Sequence, residues 1–124
     1  IQYQWEGEDL GGFRKPKVDS KNVALKNEGF RGYADYMESE EFKQAIEQLI
    51  KKAEQTRIAY MCAERLPWQC HRHLISDYLV MRGMHVVHLV AQGKTQEHTL
   101  NPITRIQNDI LIYDGKTQLN LEAF

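Results

Sequence analysis

The first half of the chain has apolar residues three and four positions apart, which is the spacing of an amphipathic helix. A short helix is predicted over residues 30–37, and its apolar face consists of Phe30, Tyr33, Ala34 and Met37. A second helix should begin after Ser39, because serine caps helices and the two glutamates that follow it interact favourably with the helix dipole. This helix should end near Gln55, and its apolar stripe consists of Phe42, Ala45, Ile46, Leu49, Ile50 and Ala53.

Two apolar runs predict strands on either side of a third helix. The first run covers residues 58–62 and the second covers residues 85–90. The helix between them should extend from about residue 70 to residue 82, since Gly83 is well placed to end it. Its buried face consists of Leu74, Ile75, Tyr78, Leu79 and Met81.

The order helix, strand, helix, strand is typical of α/β proteins, in which parallel strands are joined by right-handed crossovers. We therefore expect an α/β fold with a mainly parallel sheet and flanking helices in three layers. Residues 1–5 alternate like a further short strand. Residues 110–113 and 118–121 flank the turn-forming pair Asp114-Gly115, so we also expect a C-terminal hairpin or extra strand.

Composition narrows the class of protein. The 124 residues fit one domain, 42% of them are hydrophobic, and the mean hydropathy of -0.58 is typical of a soluble chain. The formal net charge of -1 gives no general attraction to nucleic acid or to an anionic membrane. No apolar stretch approaches the roughly 18 residues of a membrane span. Because two cysteines do not make a disulfide scaffold, we expect a cytoplasmic protein with no membrane partner.

Two short motifs lie at the junction between the first of these strands and the third helix. They are Met61-Cys62-Ala63-Glu64 and Cys70-His71-Arg72, and Leu74-Ile75, Gly83 and residues 85–89 follow, while Leu10-Gly11-Gly12 and residues 30–37 precede them. Over about residues 10–90 this pattern resembles the domain of unknown function 488 family, which implies a fold type and a site but no established activity.

The resemblance also bears on the start of the chain. Members of that family usually carry a longer N-terminal part, with a Gly-His-Ser segment and an Asp-Val-Arg segment that this sequence does not contain. The chain also begins within a strand-like pattern at Ile1. We therefore expect residues 1–124 to be a single α/β domain that is incomplete at its N-terminus.

Chemistry at the junction 62–72 favours an anion. The backbone N–H groups at a helix N-terminus, together with Arg65 and Arg72, could hold a phosphate-bearing ligand such as a nucleotide or nucleic acid. In a hydrolase or transferase, His71 would act as acid or base, and Glu64 would orient a partner or a water molecule. In the alternative, these arginines pair with Glu64 or Asp77 and the cluster is a structural hub in a non-catalytic interaction module.

The two cysteines suggest further alternatives. Cys70, at a helix N-terminus beside arginine and histidine, should favour the reactive thiolate, and Cys62 is the second candidate nucleophile. The spacing is neither Cys-x-x-Cys nor that of the thiol phosphatases, in which an arginine would stand at Trp68. Both cysteines with His71 and Glu64 could suit zinc, but they match no standard zinc motif, and we expect no metal or cofactor.

Other residues are candidates through their position. Trp68 could stack on a base, and the loop around Gly11, Gly12 and Arg14 begins a basic segment that could guide a polyanion. The segment's further cations are Lys15, Lys17, Lys21 and Lys26. In a parallel sheet the loop that carries His98 would emerge at the same edge as Cys62. His88 is a better candidate than His85 because it lies nearer the end of its strand. The sequence leaves the oligomeric state open.

Overall fold

The computed structural model describes residues 2–12, 14–62 and 70–115. The three predicted helices are confirmed as α1 (Glu28–Tyr36), α2 (Glu40–Gln55) and α3 (Arg72–Met81). The strands of the described ranges are β1 (Val87–Ala91), β2 (Lys94–Glu97), β3 (Arg105–Gln107) and β4 (Ile110–Ile112). None of the helices in these ranges combines the length and the apolar character that crossing a membrane requires.

Local chemistry explains where the helices begin and end. The side chain of Ser39 accepts a hydrogen bond from the Phe42 N–H, as the sequence predicts for an N-cap, and Asn27 does the same for the Phe30 N–H at the start of α1. Such a cap stabilises a helix by about 1 kcal/mol. The chain leaves α3 at Gly83, whose φ of +84° is unfavourable for other residue types.

The core lies between the three helices and the C-terminal hairpin. Its fully buried members include Tyr33 from α1, Phe42 from α2, Leu74 from α3 and Tyr113 from the segment after β4. Phe42 packs edge-on against Tyr78, with ring centroids 5.3 Å apart. Residues from every third of the chain therefore close one core.

The expected parallel, three-layer α/β sheet is wrong. In the described ranges the strands form two small antiparallel sheets, β1 with β2 and β3 with β4. Residues 58–62 and 2–5, both predicted as strands, are not in a strand. The partner of β1 is the segment directly after it, because Gly93, with a φ of +74°, allows a tight turn. This partner, β2, is exposed and polar, so the apolar pattern gave no sign of it.

The C-terminal hairpin also differs from its prediction. The strand predicted at residues 110–113 exists as β4, but it pairs with β3 before it, with Gln107 opposite Ile110. The turn is Asn108-Asp109, and both residues have positive φ, 52° and 61°. Tight hairpin turns require this conformation, and asparagine and aspartate tolerate it. The other predicted strand, at residues 118–121, lies outside the described residues.

The polar segment before α1 is fastened to the core by a buried carboxylate. Asp35 accepts hydrogen bonds from the Lys17 N–H, the Ser20 hydroxyl and the side-chain amide of Asn22, at 2.7 to 2.8 Å. Asn22 in turn accepts from the Tyr113 N–H at 2.9 Å. The loop before this segment, residues 7–12, lies across α1 and the start of α3.

Candidate functional site

A sulfur atom lies just before helix α3, whose N-cap residue His71 makes no side-chain capping bond. The Cys70 Sγ accepts hydrogen bonds from the backbone N–H and from the side-chain Nε of Arg72, both at 3.3 Å. The first N–H groups of a helix lack intrahelical partners, so an acceptor at this position satisfies one of them. Cys70 is buried, with 4% of its surface exposed.

Both cysteines act on Arg72. Burial lowers the pKa of this guanidinium, but hydrogen bonds and charge interactions with Cys70 and Cys62 outweigh burial and raise it. Cys62 and Cys70 are free thiols, so no disulfide joins them. The structure therefore brings together three of the residues predicted at this junction.

His71 lies in a positively charged environment. Burial lowers the pKa of its ring, and the charges of Arg72 and Arg14 lower it further, although a hydrogen bond to the Leu10 carbonyl opposes the shift. The His71 Nδ1 lies 3.7 Å from the Cys70 Sγ. Near neutral pH this imidazole is therefore uncharged while two guanidinium groups lie close to it.

The glycine loop contacts the same histidine. A Cβ atom at Gly12 would lie 3.0 Å from the His71 Nδ1, so only glycine fits here without displacement. Arg14 fastens the loop, since its Nη2 donates to the Glu8 carbonyl at 2.6 Å and its Nε donates to the Gly11 carbonyl at 3.3 Å.

Two tyrosines of α1 donate hydrogen bonds to the backbone of this loop. The Tyr33 hydroxyl donates to the Leu10 carbonyl at 2.8 Å, and the Tyr36 hydroxyl donates to the Asp9 carbonyl. The Arg14 guanidinium lies 3.8 Å from the centre of the Tyr36 ring, within the range of a cation–π interaction. The sequence named the loop as a candidate, and the structure places it beside the start of α3. We call Gly11, Gly12, Arg14, His71 and Arg72 the candidate anion site, or anion site for short, after the ligand that the sequence predicts for it.

His98 belongs to a different cluster. Its Nε2 lies 2.7 Å from the Asp77 Oδ1, and its Nδ1 lies 2.7 Å from the His88 Nε2. Asp77 has no exposed side-chain surface and also accepts from the Tyr113 hydroxyl, at 2.7 Å, and from the Asn101 N–H, at 3.2 Å. The expectation that His98 joins Cys62 depended on the parallel sheet, which the structure does not contain.

The sequence analysis named these three residues separately but not their contacts with one another; we call the cluster of Asp77, His88 and His98 the histidine relay. One signal was present: Asp77 stands three residues after Leu74, on the buried face of α3, where a carboxylate needs partners. Its hydrogen bond to Tyr113 spans 36 positions, and no local pattern reveals such a contact.

Several predicted site residues are not placed. Glu64, Arg65 and Trp68 lie outside the described residues. Among the residues that are described, no group of three or more histidine, cysteine, aspartate or glutamate side chains could hold a metal ion. A zinc site built on Cys62, Cys70 and His71 therefore has no support from this part of the chain.

Comparison with known proteins gives one match. The family model described as domain of unknown function DUF488 matches residues 1–79, which include the anion site and Asp77 but not His88 or His98. No curated protein and no solved structure matches the chain. Since the family model covers more than half of the sequence, the chain belongs to the DUF488 family, whose function is unknown.

Proposed function

We propose that the protein binds a phosphate-bearing ligand, a nucleotide or nucleic acid, at the anion site where α3 begins. The observation that carries this proposal is that two guanidinium groups meet at His71: Arg14 bonds to the loop that packs on this ring, and Arg72 is the next residue along the chain; both disfavour a positive charge on the ring. A bound phosphate would compensate their charge, and guanidinium groups match phosphate oxygens with two parallel hydrogen bonds.

Two further features support an anion at this place. The N-terminus of α3 carries a partial positive charge, which stabilises a negative ligand. The absence of a side chain at Gly12 lets the loop pack directly against the His71 ring, which keeps Arg14 and the start of α3 together. In this proposal Arg65 supplies a second fork of donors, Glu64 orients a partner or a water molecule, and Trp68 stacks on a base.

Calorimetric titration with inorganic phosphate, followed by adenosine and guanosine nucleotides, tests the proposal. Arg72→Met keeps much of the side-chain volume and removes the charge. A charged hydrogen bond contributes about 1.5–3 kcal/mol, so we expect phosphate affinity to fall about tenfold or more. Arg57→Ala is the matched control, because it removes one exposed positive charge beyond the end of α2. Equal affinities in both variants and the wild type would refute the anion site.

A second candidate function is thiol chemistry at Cys70. The specific observation is that two N–H groups of Arg72 donate to its sulfur. Donors of this kind stabilise a thiolate, the form that attacks electrophiles. The phosphate ligand and the thiolate would then compete for the same donors.

Alkylation by iodoacetamide, followed by peptide mass spectrometry, distinguishes the two cysteines. If Arg72 activates the sulfur, Cys70 reacts at pH 7 in the folded protein, and Arg72→Met slows the reaction several-fold. Cys62, a half-buried free thiol that also interacts with Arg72, is followed in the same sample as a second reporter of the substitution. If Cys70 reacts no faster in the wild type than in Arg72→Met, thiol chemistry at this site is wrong.

A further inference from the structure

The histidine relay contains a buried negative charge that can fix the proton positions of two imidazole rings. Asp77 accepts from the backbone N–H of Asn101, which can only donate, and from the hydroxyl of Tyr113. An ionised carboxylate satisfies both and requires a third donor at its remaining contact, the His98 Nε2. We assign the proton of His98 to Nε2 on this ground.

The assignment continues to the next ring. With its proton on Nε2, neutral His98 presents the lone pair of Nδ1, and this atom lies 2.7 Å from the His88 Nε2. His88 must therefore donate from Nε2, which leaves its Nδ1 with the lone pair. The buried carboxylate thus determines which nitrogen of His88 is basic, although 21 and 10 positions separate the successive partners in sequence.

The surroundings of His88 favour a neutral base. Burial lowers the pKa of its ring, and the charges of Arg72 and His73 lower it further, against the opposing effect of Asp77. These groups come from α3, and His98 comes from the segment after β2. Arg72, the guanidinium of the candidate anion site, and Asp77, which bonds to His98, both lie on α3 and are five positions apart, so this helix joins the two clusters.

We infer that His88 is the general base of a phosphoester hydrolase and that His98 and Asp77 are the positioning residues that aim its lone pair. This inference rests on the proposed function, because it needs a phosphate group held by Arg72. It differs from the sequence expectation, which assigned the acid and base role to His71.

The step is balanced without a metal or redox partner. A water oxygen attacks phosphorus while its proton moves to the His88 Nδ1. The bond between phosphorus and the leaving oxygen breaks, and the imidazolium returns the proton to that oxygen. The hydrogen bond through His98 to Asp77 stabilises the positive charge on His88 while the proton resides there. The net reaction adds water across one phosphoester bond.

Hydrolysis of 4-nitrophenyl phosphate and bis(4-nitrophenyl) phosphate by the full chain tests the inference. General base catalysis typically contributes 10²- to 10⁴-fold, so His88→Asn should lower kcat about 100-fold or more for the ester that the wild type hydrolyses. His85→Asn is the matched control. In the described part of the chain this exposed histidine has one ionic partner, Glu97. The kcat of the His85→Asn variant should stay within twofold of the wild type.

The pH profile separates positioning from a merely structural role. The wild-type rate should rise with pH as His88 loses its proton and level off near neutral pH, because the pKa of His88 lies below its usual value. His98→Gln should lower kcat and move the midpoint downward, because the hydrogen-bonded link through His98 to Asp77 that stabilises protonated His88 is lost. An unchanged midpoint in His98→Gln would overturn the relay.

The outcomes also distinguish this inference from the proposed function. Phosphate binding that His88→Asn leaves intact, together with lost hydrolysis, supports both. Phosphate binding without hydrolysis of either ester by the wild type, or with hydrolysis that survives in His88→Asn, overturns the inference and leaves the anion site standing. If phosphate does not bind at all, the proposed function fails, and the inference fails with it.

Discussion

Replacement of Gly32 by alanine should destabilise the protein even though it improves the helix propensity of α1. An ideal Cβ at this position would lie 2.1 Å from the Arg14 carbonyl oxygen, 2.6 Å from its carbonyl carbon and 2.7 Å from that of Lys15. All three atoms are backbone, so no side-chain rotation relieves the overlap. The segment at residues 14–15 would have to move away from α1.

The size of the effect follows from three contributions. Overpacking of this kind costs about 1–3 kcal/mol. Displacement of the segment also weakens the nearby hydrogen bond from the Lys17 N–H to Asp35, and bonds to charged groups contribute about 1.5–3 kcal/mol. The better helix propensity of alanine returns about 1 kcal/mol. We expect a net loss of about 2–4 kcal/mol in the free energy of unfolding.

Urea denaturation followed by circular dichroism measures this change. The matched control is Gly29→Ala in the same helix, where the sole neighbour of the added Cβ within 4 Å is the Asn27 side-chain oxygen at 3.2 Å. That variant should lie within about 1 kcal/mol of the wild type, because the propensity gain and a slight shift of the cap nearly cancel. A Gly32→Ala protein as stable as Gly29→Ala would refute the close approach of α1 to residues 14–15.

Three further perturbations give defined outcomes. Tyr113→Phe leaves Asp77 without one of its donors and should lower the free energy of unfolding by about 1–3 kcal/mol in urea denaturation; no loss would argue against the buried contact. Burial lowers the pKa of His71 and His73, so the unfolded state binds more protons and the melting temperature should fall as pH decreases from 7 to 5; a flat profile would contradict this. Ser39→Ala should cost about 1 kcal/mol through the lost cap of α2, and calorimetry that detects no change would contradict the cap.

The helices were predictable because their signals are local. Ser39 and the stripe after it define α2 within a single stretch of chain, and α3 is defined by its apolar positions and by Gly83 after it. The strand pairing was not predictable from the apolar pattern, because the four residues of β2 are exposed and polar. The local feature that belongs to this pairing is the Gln92-Gly93 turn between β1 and β2. An apolar run such as residues 58–62 can pack against the core through Tyr60 without joining a sheet.

The contacts of the candidate site are likewise of two kinds, local ones that a sequence can predict and tertiary ones that it cannot. Cys70 and Arg72 are two positions apart, so their contact follows from the geometry of one helical turn. The approach of Gly12 to His71 and the partnership of Asp77 with His98 depend on tertiary packing, which a single sequence does not show. Residue types nominated the glycine loop and the imidazoles, but distances were needed to assign them to two clusters.

The hydrogen bonds around Tyr113 have a consequence for biosynthesis. Its backbone N–H donates to Asn22, 91 positions earlier, and its hydroxyl donates to Asp77. During translation these two contacts can therefore form only after Tyr113 has left the ribosome, although Asn22 and Asp77 are made earlier. Contacts of such sequence separation are slow to close. The nascent chain can thus bury Asn22 and Asp77 with all their partners only late in synthesis. Until then its apolar surface is exposed to chaperones and prone to aggregation.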